Sequence, residues 1–256
     1  MSETIALNLF WASFVVLSGY WAADFAKKGI RIAVLGTGLA LLVAALTVRG
    51  AIIAYLPLTN KFESFCTYST MAFAVLLYTS IKAKAHVAGR IYRLSLFAMG
   101  YAFMVAAALF PKEISYPPPL MITVWYVMHV PLAFFAYALC TSAGAGALQR
   151  MRAVEALERL DIDTMVGKNI LWGFIIFSIT MVFGGIWGYV AWGSYFLWDQ
   201  KVMWSVVLWF FYATVAHMEF RDELQQKRPF FALLGVFLIL VTYVGTSFFM
   251  KSSHSF

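Results

Sequence analysis

Apolar residues in this chain run in long blocks separated by short polar stretches. A helix needs about 20 mostly apolar residues to cross a bilayer core. Eight blocks approach or exceed that length: about 4–23, 31–48, 64–81, 92–110, 119–147, 169–190, 202–218 and 229–250. The pattern therefore predicts an all-α polytopic membrane protein with about eight transmembrane helices. The fifth block is too long for one straight span, so part of it is expected to tilt or to leave the bilayer. Between the fifth and sixth blocks lies the polar stretch QRMRAVEALERLDIDTMVGKN. Its Met151, Val154, Leu157 and Leu160 recur at steps of three or four, which predicts a short amphipathic cytoplasmic helix at about 149–167. No repeat, low-complexity tract or domain boundary interrupts the pattern, so residues 1–256 read as a single membrane domain.

Composition agrees with lipid as the solvent. Of the 256 residues 62% are hydrophobic and 12% charged, against roughly 25% charged in soluble domains; the mean hydropathy is +0.80. The formal charge of +7 is explained by its distribution and gives no reason to invoke a nucleic-acid partner. Of the 19 Lys and Arg, all but Arg49, Lys61, Lys112, Lys201 and Lys251 fall in or beside the odd-numbered loops. By the positive-inside rule those loops are cytoplasmic and both termini lie outside. The start, MSETIALNLFWASFVV, lacks a basic leader and a clear cleavage site, and reads as a retained first span. Cys66 and Cys140 sit singly in apolar runs. They lack the C-x-x-C and C-x-x-C-H spacings of a redox pair or of covalent haem attachment, and read as small buried residues.

Ionisable groups within a membrane are expensive, so they are candidates for function. His86, in KAKAHVAGR, is explained by solvation in a basic loop. His129 lies about ten residues into the fifth block, His217 near the cytoplasmic end of the seventh, and His254 in the tail SSHSF. Between the sixth and seventh blocks stands WGYVAWGSYFLWDQKVMW, with Trp187, Trp192, Trp198, Trp204, Tyr189, Tyr195 and Phe196. Aromatic belts mark membrane interfaces, but this density on one loop suits a flat platform for a planar apolar ligand such as a haem macrocycle. Gly188 and Gly193 permit close backbone approach. Asp199, the loop's one acid, suits either orienting a ligand or capping the next helix. Haem iron takes axial histidines, and His129 and His254 both approach this loop from the outer side. His217 follows Asp199 by 18 residues, about 27 Å of helix, so it would serve a separate inner position.

WGSYFLWD resembles the tryptophan-rich segment, roughly WGxxWxWD, of haem-handling proteins of cytochrome c maturation, and within them the CcsA (ResC) family of the System II cytochrome c synthetase. LPLTNKFESF is similar to that family's PLSNxYES stretch, and WYVMHVPLAFFAYA resembles its histidine-bearing span. LDIDTMVGKNILWGF resembles its approach to the aromatic loop, and LVTYVGTSFFMKSSHSF its closing segment. The resemblance implies haem b as cargo. His129 and His254 would be axial ligands at an outer site lined by Trp187, Trp192, Phe196, Trp198 and Asp199 of the loop 187–204. His217 would hold haem at an inner site, opposite a ligand from a CcsB (ResB)-like subunit. It further implies that haem vinyl groups add to the two thiols of an apocytochrome c C-x-x-C-H motif, as in a cytochrome c haem-lyase. The setting implied is a bacterial inner membrane, or a thylakoid membrane in a plastid. Phe196, Gln200 and Val202 depart from the family pattern, in which a tryptophan and WDPKETW are usual. The open alternatives are a CcmC-like haem chaperone or exporter without ligation activity and a HemX-like regulatory membrane protein. A b-type electron-transfer cytochrome is served poorly by four scattered histidines.

Overall fold

The computed structural model describes residues 2–248. It is all-helical among the described residues, and eight helices are long and apolar enough to cross a membrane. They are α1 (Ser2–Ala23), α2 (Lys28–Ile53), α3 (Lys61–Lys82), α4 (Arg90–Leu109), α5 (Val124–Arg150), α6 (Ala156–Trp192), α7 (Gln200–Phe220) and α8 (Arg228–Phe248). Each expected span is present, so the chain is a polytopic membrane protein.

Helix ends follow local chemistry. Asn60, Thr123 and Asp199 cap α3, α5 and α7, accepting from the backbone N–H of Glu63, Tyr126 and Val202 at 3.0, 3.1 and 2.9 Å. Each satisfies a donor that the first turn leaves unpaired. At the C-terminus of α6, Gly193 takes a left-handed conformation (φ 73°) and returns its N–H to Tyr189 O at 2.8 Å. Glycine bears that φ at no steric cost, which stops the helix there.

Two boundaries differ from expectation. The excess of the fifth block resolves into a 3-10 turn at Pro119–Met121 followed by α5. The amphipathic segment is not a separate helix. It spans the end of α5, a turn, and the first turns of α6, whose 37 residues extend about 55 Å. No proline or turn sequence separates DIDTMVGKN from the apolar block, so helix propagates through it. Met151, Val154, Leu157 and Leu160 are all exposed.

The chain divides into two compact units, residues 1–119 and 120–256. In the first, α1 packs on α2, α2 on α3, and α3 on α4. Ser13 Oγ donates across helices to Gly38 O (2.7 Å) and Ser69 Oγ to Gly100 O (2.8 Å); such bonds satisfy hydroxyls where lipid offers no partner. An Arg49–Glu63 ion pair (2.7 Å) is almost wholly buried. The Arg49 guanidinium also donates to Lys112 O and Glu113 O, and Glu63 accepts from Thr59 N and Oγ1. This network ties the end of α2, the start of α3 and the loop after α4 together.

In the second unit α5 is clasped by α6 and α8, and α7 packs on α6 and α8. The buried face of α5, from Ala136 to Ala147, is composed mostly of Ala, Gly, Ser, Thr and Cys, and small residues let helix backbones approach. A Cβ at Gly173 of α6 would stand 2.6 Å from Cys140 Sγ, so that approach leaves no room for one. Asn169 Nδ2 donates to Ser142 Oγ (2.9 Å) and Trp209 Nε1 to Ser178 Oγ (2.9 Å), pinning α6 to α5 and α7.

Candidate functional site

A cavity in the second unit is lined by His129, Phe134 and Tyr137 of α5, Thr180, Gly184 and Trp187 of α6, Tyr195 and Phe196 of the aromatic loop, Lys201 and Val202 of α7, and Thr242 and Tyr243 of α8. The half-buried His129 ring lies against α6, and its Nδ1 is 2.9 Å from Thr180 O. A carbonyl only accepts, so Nδ1 carries the proton and Nε2 the lone pair. This is how a metal-binding imidazole is usually oriented, with one nitrogen anchored and the other able to ligate. A Cβ on Gly184 would stand 2.6 Å from the ring; the glycine is what lets the imidazole reach Thr180 O. Two residues on, Pro131 lies inside the helix and removes the backbone donor to Val127 O.

The Trp187 ring is nearly parallel to His129 (19°) with centroids 6.2 Å apart. Trp187 is fully buried: its Nε1 donates to Leu120 O at 2.8 Å, and Tyr126 and Trp192 meet it edge-on at 5.2 and 4.8 Å. It is a fixed wall. The rest of the loop is open: Tyr189 and Tyr195 stack at 4.6 Å, and Phe196 stacks on Trp198 at 5.9 Å. Phe196 and Trp198 remain 41% and 69% exposed, so aromatic surface is available to a further planar group. Gly188 brings its helix within 3.1 Å, measured from a Cβ position, of Ser194 O, which folds the loop back onto α6. Asp199 caps α7, the second of its two expected roles.

Sequence reasoning brings His129, Trp187, Trp192, Phe196 and Trp198 to one place, and the fold groups them. It missed Thr180, whose contribution is a backbone carbonyl, and Gly184, whose contribution is the absence of a side chain. It also missed Thr242 and Tyr243, which enter through a π-helical turn at Val241–Gly245. Such turns are frequent at functional sites, but no residue type in VTYVG announces one. His254 lies outside the described residues.

His217 stands apart. It is the exposed last residue of the α-helical part of α7, its Nδ1 2.7 Å from Ala213 O, which in the neutral ring leaves the lone pair on Nε2. It lines a second cavity of about 740 Å³ with Arg150, Asp163, Lys168, Phe174, Phe220 and Arg228. Arg150 pairs with Asp163 (2.6 Å), and Arg228 with Glu219. The two histidines belong to opposite ends of their bundle, since the 18 residues Gln200–His217 of α7 separate the aromatic loop from His217 by about 27 Å.

A family model for the cytochrome C assembly protein matches residues 1–254. The chain belongs to this family. It is 25% identical to the cytochrome c biogenesis protein CcsA of a strain of Prochlorococcus marinus, covering 79% of this chain and 76% of that one. Against CcsA of Guillardia theta it is 23% identical, covering 96% and 93%. Among solved structures it is similar to the cytochrome c haem lyase CcmF, with a TM-score of 0.70 and 16% identity, over 98% of this chain and 46% of the other. That likeness shows a shared fold, and the chain spans less than half the length of that neighbour.

Proposed function

We propose that this protein carries haem b through the membrane and presents it to apocytochrome c during cytochrome c maturation. The reading rests chiefly on His129. Its Nδ1 is anchored on Thr180 O, its Nε2 carries the lone pair, and it lies beside the buried Trp187 in an apolar cavity. That is the orientation an axial haem ligand requires. At about 120 Å³ the cavity is smaller than the roughly 300–1,000 Å³ of a site that encloses a ligand. The macrocycle therefore lies over the mouth, on the exposed faces of Phe196 and Trp198, and His254 supplies the second axial ligand. Asp199 shapes this site by capping α7, and Trp192 by buttressing Trp187.

His217 serves an inner site in the 740 Å³ cavity, opposite a ligand from a CcsB-like partner subunit. The apolar faces of Leu171, Phe174 and Phe220 and the cations Arg150 and Lys168 suit a ligand with an apolar ring and anionic substituents. The single membrane domain has its termini outside and its loop 187–204 on the outer face. It resides in a bacterial inner membrane or a thylakoid, and with its partner it performs the haem-lyase step at the outer site.

Co-expression with a CcsB-like subunit and a C-x-x-C-H reporter, in a host lacking its own maturation system, tests this. Covalent haem on the reporter is expected, lost in His129→Ala while haem still co-purifies through His217. Haem retention and reporter maturation both unchanged in the His129→Ala, His254→Ala double variant would overturn the outer assignment. Co-purified haem without a matured reporter would instead indicate a chaperone of the CcmC kind.

A further inference from the structure

At the opposite end of the first unit from the Arg49–Glu63 network, residues from the starts of α2 and α4 and the end of α3 line a small cavity. Tyr20, Lys28, Arg31, Ser80 and Arg93 line it. The arrangement runs against ordinary helix electrostatics. A helix N-terminus carries partial positive charge and favours acids, yet neither first turn holds an acid and neither N-cap, Lys27 or Gly89, accepts a backbone N–H through its side chain. Basic residues stand there instead: Lys28 and Arg31 on α2, Arg90 and Arg93 on α4. The carboxylate beside them, Asp24, is buried and already shared between Arg93 (2.8 Å) and Arg90 (3.2 Å). Lys28 and Arg31 reach only backbone carbonyls, Ile81 O at 3.5 Å and Ala26 O at 2.9 Å, and among the described residues no acid pairs with either. First-turn residues of two helices, Lys28 and Arg31 of α2 and Arg93 of α4, thus bring a surplus of cations to one small space.

A second feature points into the same space. Ser80 is 9% exposed, its hydroxyl is buried, and that hydroxyl has no hydrogen-bond partner among the described residues. A buried hydroxyl without a partner costs free energy, and here it faces a site rich in positive charge. The cavity holds about 70 Å³, several times the roughly 10–15 Å³ that one water needs on this measure. That is room for one tetrahedral oxyanion.

We propose that this cavity binds a phosphate group, held by Lys28, Arg31 and Arg93 and accepting a hydrogen bond from Ser80. The site is independent of the histidines and of the haem reading. Its phosphate has two chemical sources, the headgroup of an anionic phospholipid or a soluble phosphate. Phe25, Ile30 and Ile81 are exposed at the same end and offer apolar surface to acyl chains.

The test uses the full chain, delipidated in detergent. Native mass spectrometry measures phosphatidylglycerol binding, with a galactolipid of the same acyl chains as control, and calorimetry measures inorganic phosphate. Binding of phosphatidylglycerol but not galactolipid supports the site with a lipid source; binding of inorganic phosphate alone supports it with a soluble one. In either case Lys28→Gln and Arg31→Gln each weaken binding about tenfold. Ser80→Ala, which only removes an unpartnered hydroxyl, weakens it several-fold while the melting temperature of the ligand-free protein is undiminished or raised. Arg90→Gln, whose head lies outside the cavity, changes it less than about twofold. If neither phosphate probe binds, if galactolipid binds equally, or if the Lys28→Gln, Arg31→Gln double variant and Ser80→Ala bind like the parent, the proposal is overturned.

Discussion

Arg49 and Glu63 show how much a single side chain can carry in this membrane protein. Neither is accessible to water, and the partners that satisfy their hydrogen bonds are all close at hand: each other, Lys112 O, Glu113 O and Thr59. Removing one member strands the other, which costs about 3–5 kcal/mol. Arg49→Ala and Glu63→Gln are therefore both expected to lower the thermal midpoint of the detergent-solubilised protein sharply. The double variant should lose much less than the two single losses combined, because no stranded charge remains; additive losses would argue against the pair. At the other end of its influence, a residue can act by being small. Gly184→Ala sets a methyl against the His129 ring, forces it off Thr180 O, and leaves the rest of α6 able to fold. Maturation of a C-x-x-C-H reporter is expected to fall about tenfold or more, the scale on which small misplacements are felt, while haem held through His217 is unaffected. The sequence made His129 and the tryptophans visible because a membrane penalises polar groups and because aromatic density is local. It hid Thr180 O, Gly184 and Arg49. The first is backbone, the second is a missing side chain, and the third looks like any cation in an outer loop until its partner, 14 positions away, is known.

At the level of elements, apolar length alone located all eight helices, since a span must satisfy every backbone group internally and can hardly be anything else. Ends were less legible. They depend on single caps and on whether a polar stretch has any reason to stop being helical. The first turns of α6 had none, so the expected surface helix is continuous with the span. Where a cap does exist its effect is measurable. Asp199 accepts from Val202 N at 2.9 Å, and Asp199→Ala is expected to destabilise α7 by about 1 kcal/mol. Asp199→Asn, an equally good cap, should retain nearly all of it. A loss of haem presentation in Asp199→Asn at full stability would show that the carboxylate also touches the cargo. The π-turn of α8 lay beyond sequence reading altogether, because it reflects how α8 meets its neighbours rather than what VTYVG prefers.

For the molecule as a whole, the direction of haem movement depends on which compartment each end of the helices meets. On the orientation proposed from the charge pattern, the basic turn before α6 and His217 face the cytoplasm, and the aromatic loop with His129 faces outside. Membrane electrostatics support that proposal, since translocating Lys and Arg is unfavourable and anionic headgroups are enriched on the cytoplasmic leaflet. It can be read directly with single cysteines, because Cys66 and Cys140 are both buried and contribute little background to a membrane-impermeant maleimide. In intact cells Ser194→Cys, in the aromatic loop, should be labelled within minutes. Arg152→Cys, in the turn before α6, should be labelled only after the membrane is opened. The reverse pattern would invert the chain, place His217 on the outer face, and turn the proposed direction of haem movement around, since the two histidine cavities would exchange compartments.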